Sequence, residues 1–322
     1  MNLSWEKTVR FVLSLAAIIL FSGCGGPLEA NRSSAGGKTR VVVTTTFIGD
    51  VVANIAGDNV EITRLLAVGQ NPHSYQPSPM DMVAVTEADL ILVNGFGLEE
   101  FLEDLLSGSD TKAKVIVVSE GISPLMMEQH PDEGNADHSD DDPMEAVMGQ
   151  DPHVWFDPNN ILIWAQNITQ LLAKEDPANE SLYQTNFDKY QQQLLILDSW
   201  IREQISKIPE DQKELVTDHT NLGYFAHEYG LVQIGAVIPA LTTEAETSGM
   251  ELAELIDSIR EYQAGAIFVG VDFDPSLAQR VADETGVQLV PLYFGSLSDG
   301  GPAGTYLSFM RYNVSAIVEA LQ

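Results

Sequence analysis

From residue 39 onward, short continuous apolar runs alternate with longer stretches in which apolar residues recur every three or four positions. The β-branched run Val41-Val42-Val43-Thr44-Thr45-Thr46 predicts a buried strand, and residues 48–56 then carry helical spacing. Residues 90–93 and 115–118 predict further strands, with helices over 79–88 and 98–106. Strands that are apolar throughout and separated by helices imply a parallel sheet covered on both faces.

Residues 159–174 repeat the helical period, and after Asp176-Pro177 a longer pattern runs through Tyr183, Phe187, Tyr190, Leu194, Leu197 and Ile201 until Pro209. Pro177 fits the first turn of that helix, whose roughly thirty residues are long for a globular domain. A spine joining two lobes is the expectation. Beyond it, strands are predicted at 215–217, 232–237, 266–269 and 287–291, with helices at 249–262, 275–284 and 306–321. The fold class is therefore α/β, with an N-terminal β/α lobe over 39–176, a linker helix over 177–208 and a C-terminal β/α lobe over 209–322.

The N-terminus changes the picture. Residues 1–24 carry Lys7 and Arg10, an apolar run over 11–21, then Ser22-Gly23-Cys24, the layout of a secretory signal. The run is too short to span a bilayer permanently. Cys24 is the single cysteine of the chain, so neither a disulfide framework nor a thiolate cluster is available. The segment resembles the bacterial lipobox, in which the cysteine receives a lipid, with Phe21 where Leu is usual. Residues 25–38, rich in Gly, Ser, Asn and Ala, read as a flexible tether.

Net charge is −31 with 16 Lys+Arg among 322 residues, which removes nucleic acid as a partner because no basic stripe exists to displace counterions. Residues 126–150 interleave His130 and His138 with many carboxylates and no Lys or Arg. This acidic loop lacks usable periodicity and reads as a solvated insertion or a weak cation collector; the Asp-x-Asp-x-Asp-Gly pattern of a calcium loop is absent.

Candidate chemistry rests on His73, His153 and His219. The first two follow a proline, which fixes the backbone before the side chain. They lie dozens of residues apart, so no single helix supplies them in the manner of His-Glu-x-x-His. A lone histidine is more often a satisfied or exposed residue than a ligand, and the flanking sequence must decide. Walker loops, Gly-x-Ser-x-Gly elbows and a credible Cys nucleophile are missing, and Gly95-Phe96-Gly97 lacks the third glycine of a dinucleotide fingerprint. His227 is expected to face solvent.

That flanking sequence is specific: Gly69-x-Asn71-Pro72-His73-x-Tyr75-x-Pro77-Ser78-Pro79-x-Asp81, Asn94-Gly95-x-Gly97-Leu98-Glu99, Asp151-Pro152-His153-Val154-Trp155-Phe156-Asp157-Pro158, His219-x-x-x-Gly223-Tyr224-Phe225 and Tyr306-x-x-Phe309-Met310-Arg311-Tyr312-Asn313. Together these resemble the cluster A-I, or cluster 9, solute-binding proteins, the zinc- and manganese-binding lipoproteins of bacterial ABC importers. The resemblance implies two lobes with mostly parallel sheets joined by one rigid helix and a metal held in the cleft between them. It makes His73, His153 and His219 the ligands. A fourth, commonly Asp or Glu, usually follows the last strand, but Gly295 stands there. Asp299 on the same loop is the first substitute, with Asp272, Glu246 or a water as others. Asp157 and Asp218 are placed to orient ligands or to cap helices.

The resemblance further implies capture of a divalent metal outside the cytoplasm and delivery to an ABC permease and its ATPase, by a lipid-anchored monomer that performs no catalysis. Three neutral imidazoles with at most one oxygen lean toward Zn²⁺, with Mn²⁺ as the alternative. Binding is expected to weaken as pH falls through about 6.5. The rivals are a secreted zinc hydrolase using Glu246 or Asp299 as base, and an adhesin on the same fold.

Overall fold

The computed structural model describes residues 37–126 and 149–322. The expected signal peptide, Cys24 and nearly all of the tether and acidic loop lie outside the described residues.

The N-terminal sheet holds β1 (Thr39–Val43), β2 (Val60–Arg64), β3 (Leu90–Val93) and β4 (Lys114–Val117) in the order β2-β1-β3-β4, and every pairing is parallel. Helices α1 (Thr46–Ala56), α2 (Pro79–Glu87) and α3 (Leu102–Ser107) connect them. Strand β1 stops at Val43, earlier than its β-branched run predicts, because Thr45 caps α1 with its hydroxyl accepting from the Ile48 N–H at 3.3 Å. Strand β2 escaped the sequence pattern. It is an edge strand in which only Val60 is fully buried, so its Glu61, Thr63 and Arg64 reveal no core face. Helix α3 begins at Leu102 and not at 98, because Gly95, Phe96 and Gly97 all take positive φ and form a turn before it.

Helix α4 (Pro158–Glu175) leads through a 3₁₀ turn at Pro177–Asn179 into the long helix α5 (Glu180–Ile205), 26 residues and therefore about 39 Å at 1.5 Å per residue. Its buried face is Tyr183, Tyr190, Leu194, Leu197, Ile201 and Ile205, a stripe at helical spacing.

The C-terminal sheet repeats the topology. Strands β5 (Glu214–His219), β6 (Val232–Ile238), β7 (Ala266–Gly270) and β8 (Gln288–Leu292) lie in the order β6-β5-β7-β8, again all parallel. Around them run α6 (Gly223–Tyr229), α7 (Gly249–Tyr262), α8 (Ser276–Thr285) and α9 (Tyr306–Leu321).

Because successive strand residues point to opposite faces, each sheet divides its apolar residues. In the N-terminal lobe Val42 and Ile91 join Leu66 and Val85 in an outer core. In the C-terminal lobe Val216 and Ile267 join Leu255 and Ile259 in another. The opposite faces, with Val41, Val43, Leu92, Leu215 and Phe268, contribute to one continuous core that includes Phe47, Trp155, Trp164, Leu197, Ile201 and Phe309. The lobes thus share their central packing, and α5 contacts α1, α4 and α9 along its length.

Candidate metal centre

Ligands of open parallel sheets sit beyond the carboxyl ends of the strands, where connections to opposite sides leave a crevice. All three histidines are delivered there. His73 lies on the loop after β2, His153 just ahead of α4, and His219 is the last residue of β5. Nε2 of His153 is 3.1 Å from Nε2 of His73 and 3.3 Å from Nε2 of His219.

The loop that carries His73 and the rings of His153 and His219 are held by their surroundings. The His73 N–H donates to Asn71 Oδ1 at 2.9 Å, and Asn71 Nδ2 donates across the cleft to Thr243 Oγ1 at 2.6 Å. Gly69, at φ 79°, donates its N–H to Ser296 Oγ at 2.9 Å, a second tie from the His73 loop to the other lobe. The Asp151 carboxylate accepts from the His153 N–H at 2.9 Å and lies 2.8 Å from its Nδ1. Asp218 does the same for His219, at 2.6 Å to N and 2.7 Å to Nδ1, and also accepts the Gly270 N–H from the end of β7 at 2.6 Å. With Nδ1–H committed to a carboxylate, each of these imidazoles turns the lone pair of Nε2 inward.

Lone pairs this close repel one another unless something positive lies between them. Burial, followed by the neighbouring imidazoles, holds His73 well below the usual histidine value. Burial followed by His219 does so for His153. Both folded values lie below the unfolded value of 6.5. Below 6.5 the unfolded chain therefore binds protons that these folded imidazoles refuse, so their contribution to stability is present above that pH and lost as pH falls. For metal binding the shift keeps the direction of the sequence expectation and moves its pH: the neutral forms of His73 and His153 persist below 6.5, so their part in any loss of metal should fall below that value. Affinity measured by chelator competition at successive pH values from about 7.5 down to about 5 checks this: above about 6.5 it should fall no faster than the one proton of Asp151 allows, and a steeper fall there would contradict it. Burial pushes the Asp151 carboxyl up to about 7, so a metal that draws it to the carboxylate form also releases protons on binding.

The histidines border a cavity of about 40 Å³ between the lobes, whose wall also includes Trp155, Phe294 and Gly295. Two sequence expectations are corrected. Asp299 is exposed on the loop after β8 and does not line the cavity, and neither does exposed Glu246. Asp272 does line it, and its side chain, bonded to Ser296, is the carboxylate that approaches Gly69. Asp157 does not touch a histidine: the 3₁₀ turn at Val154–Phe156 carries it away, and it caps α4 by accepting the Asn159 N–H at 2.8 Å. Its expected place beside His153 is taken by Asp151, two residues before the histidine. The pairing of Asp218 with His219 was the signal that could have pointed to it. His227 is exposed on α6.

Two α/β lobes sharing a core, with two buried imidazoles and one half-buried one converging between them, define a bilobed metal-binding protein. Residues 41–320 match the family described as ZnuA, zinc-uptake complex component A, periplasmic, and the chain belongs to that family. It is 31% identical over 313 residues to the manganese-binding lipoprotein MntA of Halalkalibacterium halodurans, covering 97% of each chain. It is 30% identical to the manganese ABC transporter substrate-binding lipoprotein PsaA of Streptococcus pneumoniae, covering 96% of this chain and 97% of that one. Among solved structures, the periplasmic zinc-binding protein TroA from Treponema pallidum superposes with a TM-score of 0.76 at 30% identity, covering 88% of this chain and 99% of that one. A manganese-bound periplasmic metal-binding protein from Candidatus Liberibacter asiaticus gives 0.75 at 29%, covering 88% and 100%. The protein is accordingly a metal-binding solute-binding component of an ABC importer, the kind that works with a permease and an ATPase, and is not an enzyme. Among the described residues no helix is long and apolar enough to cross a membrane.

Proposed function

We propose that this protein captures Zn²⁺ through His73, His153 and His219 and hands it to its permease, as a monomer held at the extracytoplasmic side of the membrane by a lipid on Cys24. The observation that carries the reading is the inward convergence of the three Nε2 atoms, two of them with Nδ1 already committed to a carboxylate. An all-imidazole donor set suits tetrahedral zinc, while manganese prefers more oxygen. Gly295, where a carboxylate is usual, removes an oxygen from the set. Manganese is the second reading: relatives named for manganese match nearly the whole chain, and Asp272 supplies an oxygen at the cavity wall.

Affinity alone does not separate the two, because Zn²⁺ outcompetes Mn²⁺ at most nitrogen sites. The decisive experiment is uptake of labelled zinc and manganese by cells of the native host lacking this protein and by the complemented strain. Restored zinc uptake supports the proposal; restoration of manganese alone overturns it.

Met126 and Gln150 pair as an isolated antiparallel bridge, so the two ends of the acidic loop are already side by side. Replacing 127–148 with a short Gly-Ser linker should therefore leave one tight site with unchanged stoichiometry in isothermal titration. A tight site that disappears with the loop would show that the histidines are not the main site.

A further inference from the structure

The motif Asn94-Gly95-Phe96-Gly97-Leu98-Glu99 has no part in the metal chemistry described above, yet it contains a buried carboxylate. Glu99 Oε1 accepts from Thr44 Oγ1 at 2.7 Å and from the Asn94 N–H at 2.7 Å, while Oε2 accepts from the Gly95 N–H at 3.0 Å. Thr44 follows β1 and Asn94 follows β3, the neighbouring strands at the centre of the β2-β1-β3-β4 order. This is the switch-point crevice, where doubly wound sheets present backbone N–H groups to an anionic ligand. Here the chain fills it with its own side chain.

Three consecutive positive φ angles, 89° at Gly95, 54° at Phe96 and 80° at Gly97, fold the turn back so that Glu99 can enter. A left-handed Phe is costly, and such conformations persist only where the surroundings over-determine them. The three donors to Glu99 supply that constraint. The held turn in turn aims Asn94: its Nδ2 donates to the Pro152 carbonyl at 3.0 Å and to the Gly95 carbonyl at 2.8 Å. Pro152 is bonded directly to His153, the imidazole whose Nε2 lies nearest both of the others. Asp151 therefore fixes the ring of His153, and Asn94 fixes the peptide that precedes it.

We infer that Glu99 and Asn94 are positioning residues for the metal centre: the Glu99 carboxylate, held in the switch-point crevice, orients the Asn94 amide that clamps the Pro152–His153 peptide. The inference rests on the reading of His153 as a ligand. Loss of outer-shell partners of this kind commonly costs 10–100-fold in metal affinity.

The test compares Zn²⁺ affinity by chelator competition in wild type, Asn94→Ser, Glu99→Gln, Thr44→Val and His153→Ala. The visible spectrum of each Co²⁺-loaded protein and the thermal midpoint of each metal-free protein are measured alongside. Asn94→Ser and Glu99→Gln should bind zinc about 10–100-fold more weakly and give altered Co²⁺ bands, with Thr44→Val between them and wild type. If Glu99→Gln does not fold, Asn94→Ser and Thr44→Val carry the comparison. Wild-type affinity and Co²⁺ spectrum in Asn94→Ser would overturn the inference, as would weakened binding with an unaltered spectrum that merely tracks loss of folded protein. Undiminished binding in His153→Ala would instead overturn the ligand reading on which it rests.

Discussion

His153→Ala should lose tight metal binding, with affinity falling on the order of 10²–10³-fold. Four-ligand structural zinc sites bind with about 10–16 kcal/mol, so one ligand among three or four is worth about 3–4 kcal/mol, or two to three decades. His153 is the appropriate residue for the test because its Nε2 lies 3.1 Å and 3.3 Å from the other two, which makes it the centre of the cluster. Its removal also strips Asp151, a buried carboxyl, of the ring N–H beside it at 2.8 Å. Isothermal titration of the metal-stripped variant reads the effect. Affinity within a few-fold of wild type would mean that the imidazoles are not the ligands.

Trp155→Ala should destabilise the metal-free protein by about 3–5 kcal/mol, the usual range for deleting a large buried aromatic. The indole is almost fully buried and stacks on Phe47, with ring centroids 5.0 Å apart. Its Nε1–H donates to the Phe294 carbonyl of the other lobe at 3.0 Å, and its own carbonyl accepts from Tyr306 Oη at 2.8 Å. The alanine variant leaves a cavity in the shared core and deprives the Phe294 carbonyl of its donor. Urea unfolding of the stripped variant measures the loss, and a decrease below about 1 kcal/mol, far under the large-to-small range, would show that this junction is loosely packed. Trp155→Phe keeps most of the volume and should cost less.

The parts of this architecture that were legible in the sequence are those buried on one side or both. Residues 90–93, the stripe from Tyr183 to Ile201 and the helices Gly249–Tyr262 and Tyr306–Leu321 carry periodicities imposed by the core, and the structure has elements there. Strand β2 was not legible, because an edge strand with Glu61, Thr63 and Arg64 outward presents no continuous apolar run. The histidines stood out through their proline and aspartate neighbours. What orients them was only partly visible. Asp218 is adjacent in sequence to the ring it holds, but the contact of Asn94 with Pro152 crosses 58 positions and depends on a turn that glycine and a left-handed phenylalanine make together. Asp299 illustrates the converse. Proximity in sequence to Gly295 suggested a ligand, yet three intervening residues leave its side chain in solvent.

The core that runs unbroken from Phe47 through Trp155 and Leu197 to Phe309 also bears on how long the protein survives proteolysis. A chain whose halves share their packing opens to proteases mainly by losing both halves together. Cargo that binds only the folded form then protects the cleavage sites within that shared core together: at a free metal concentration a hundred times the dissociation constant, the unfolded fraction drops about a hundredfold. The metal content of the surroundings would in this way set the lifetime of the receptor as well as its occupancy.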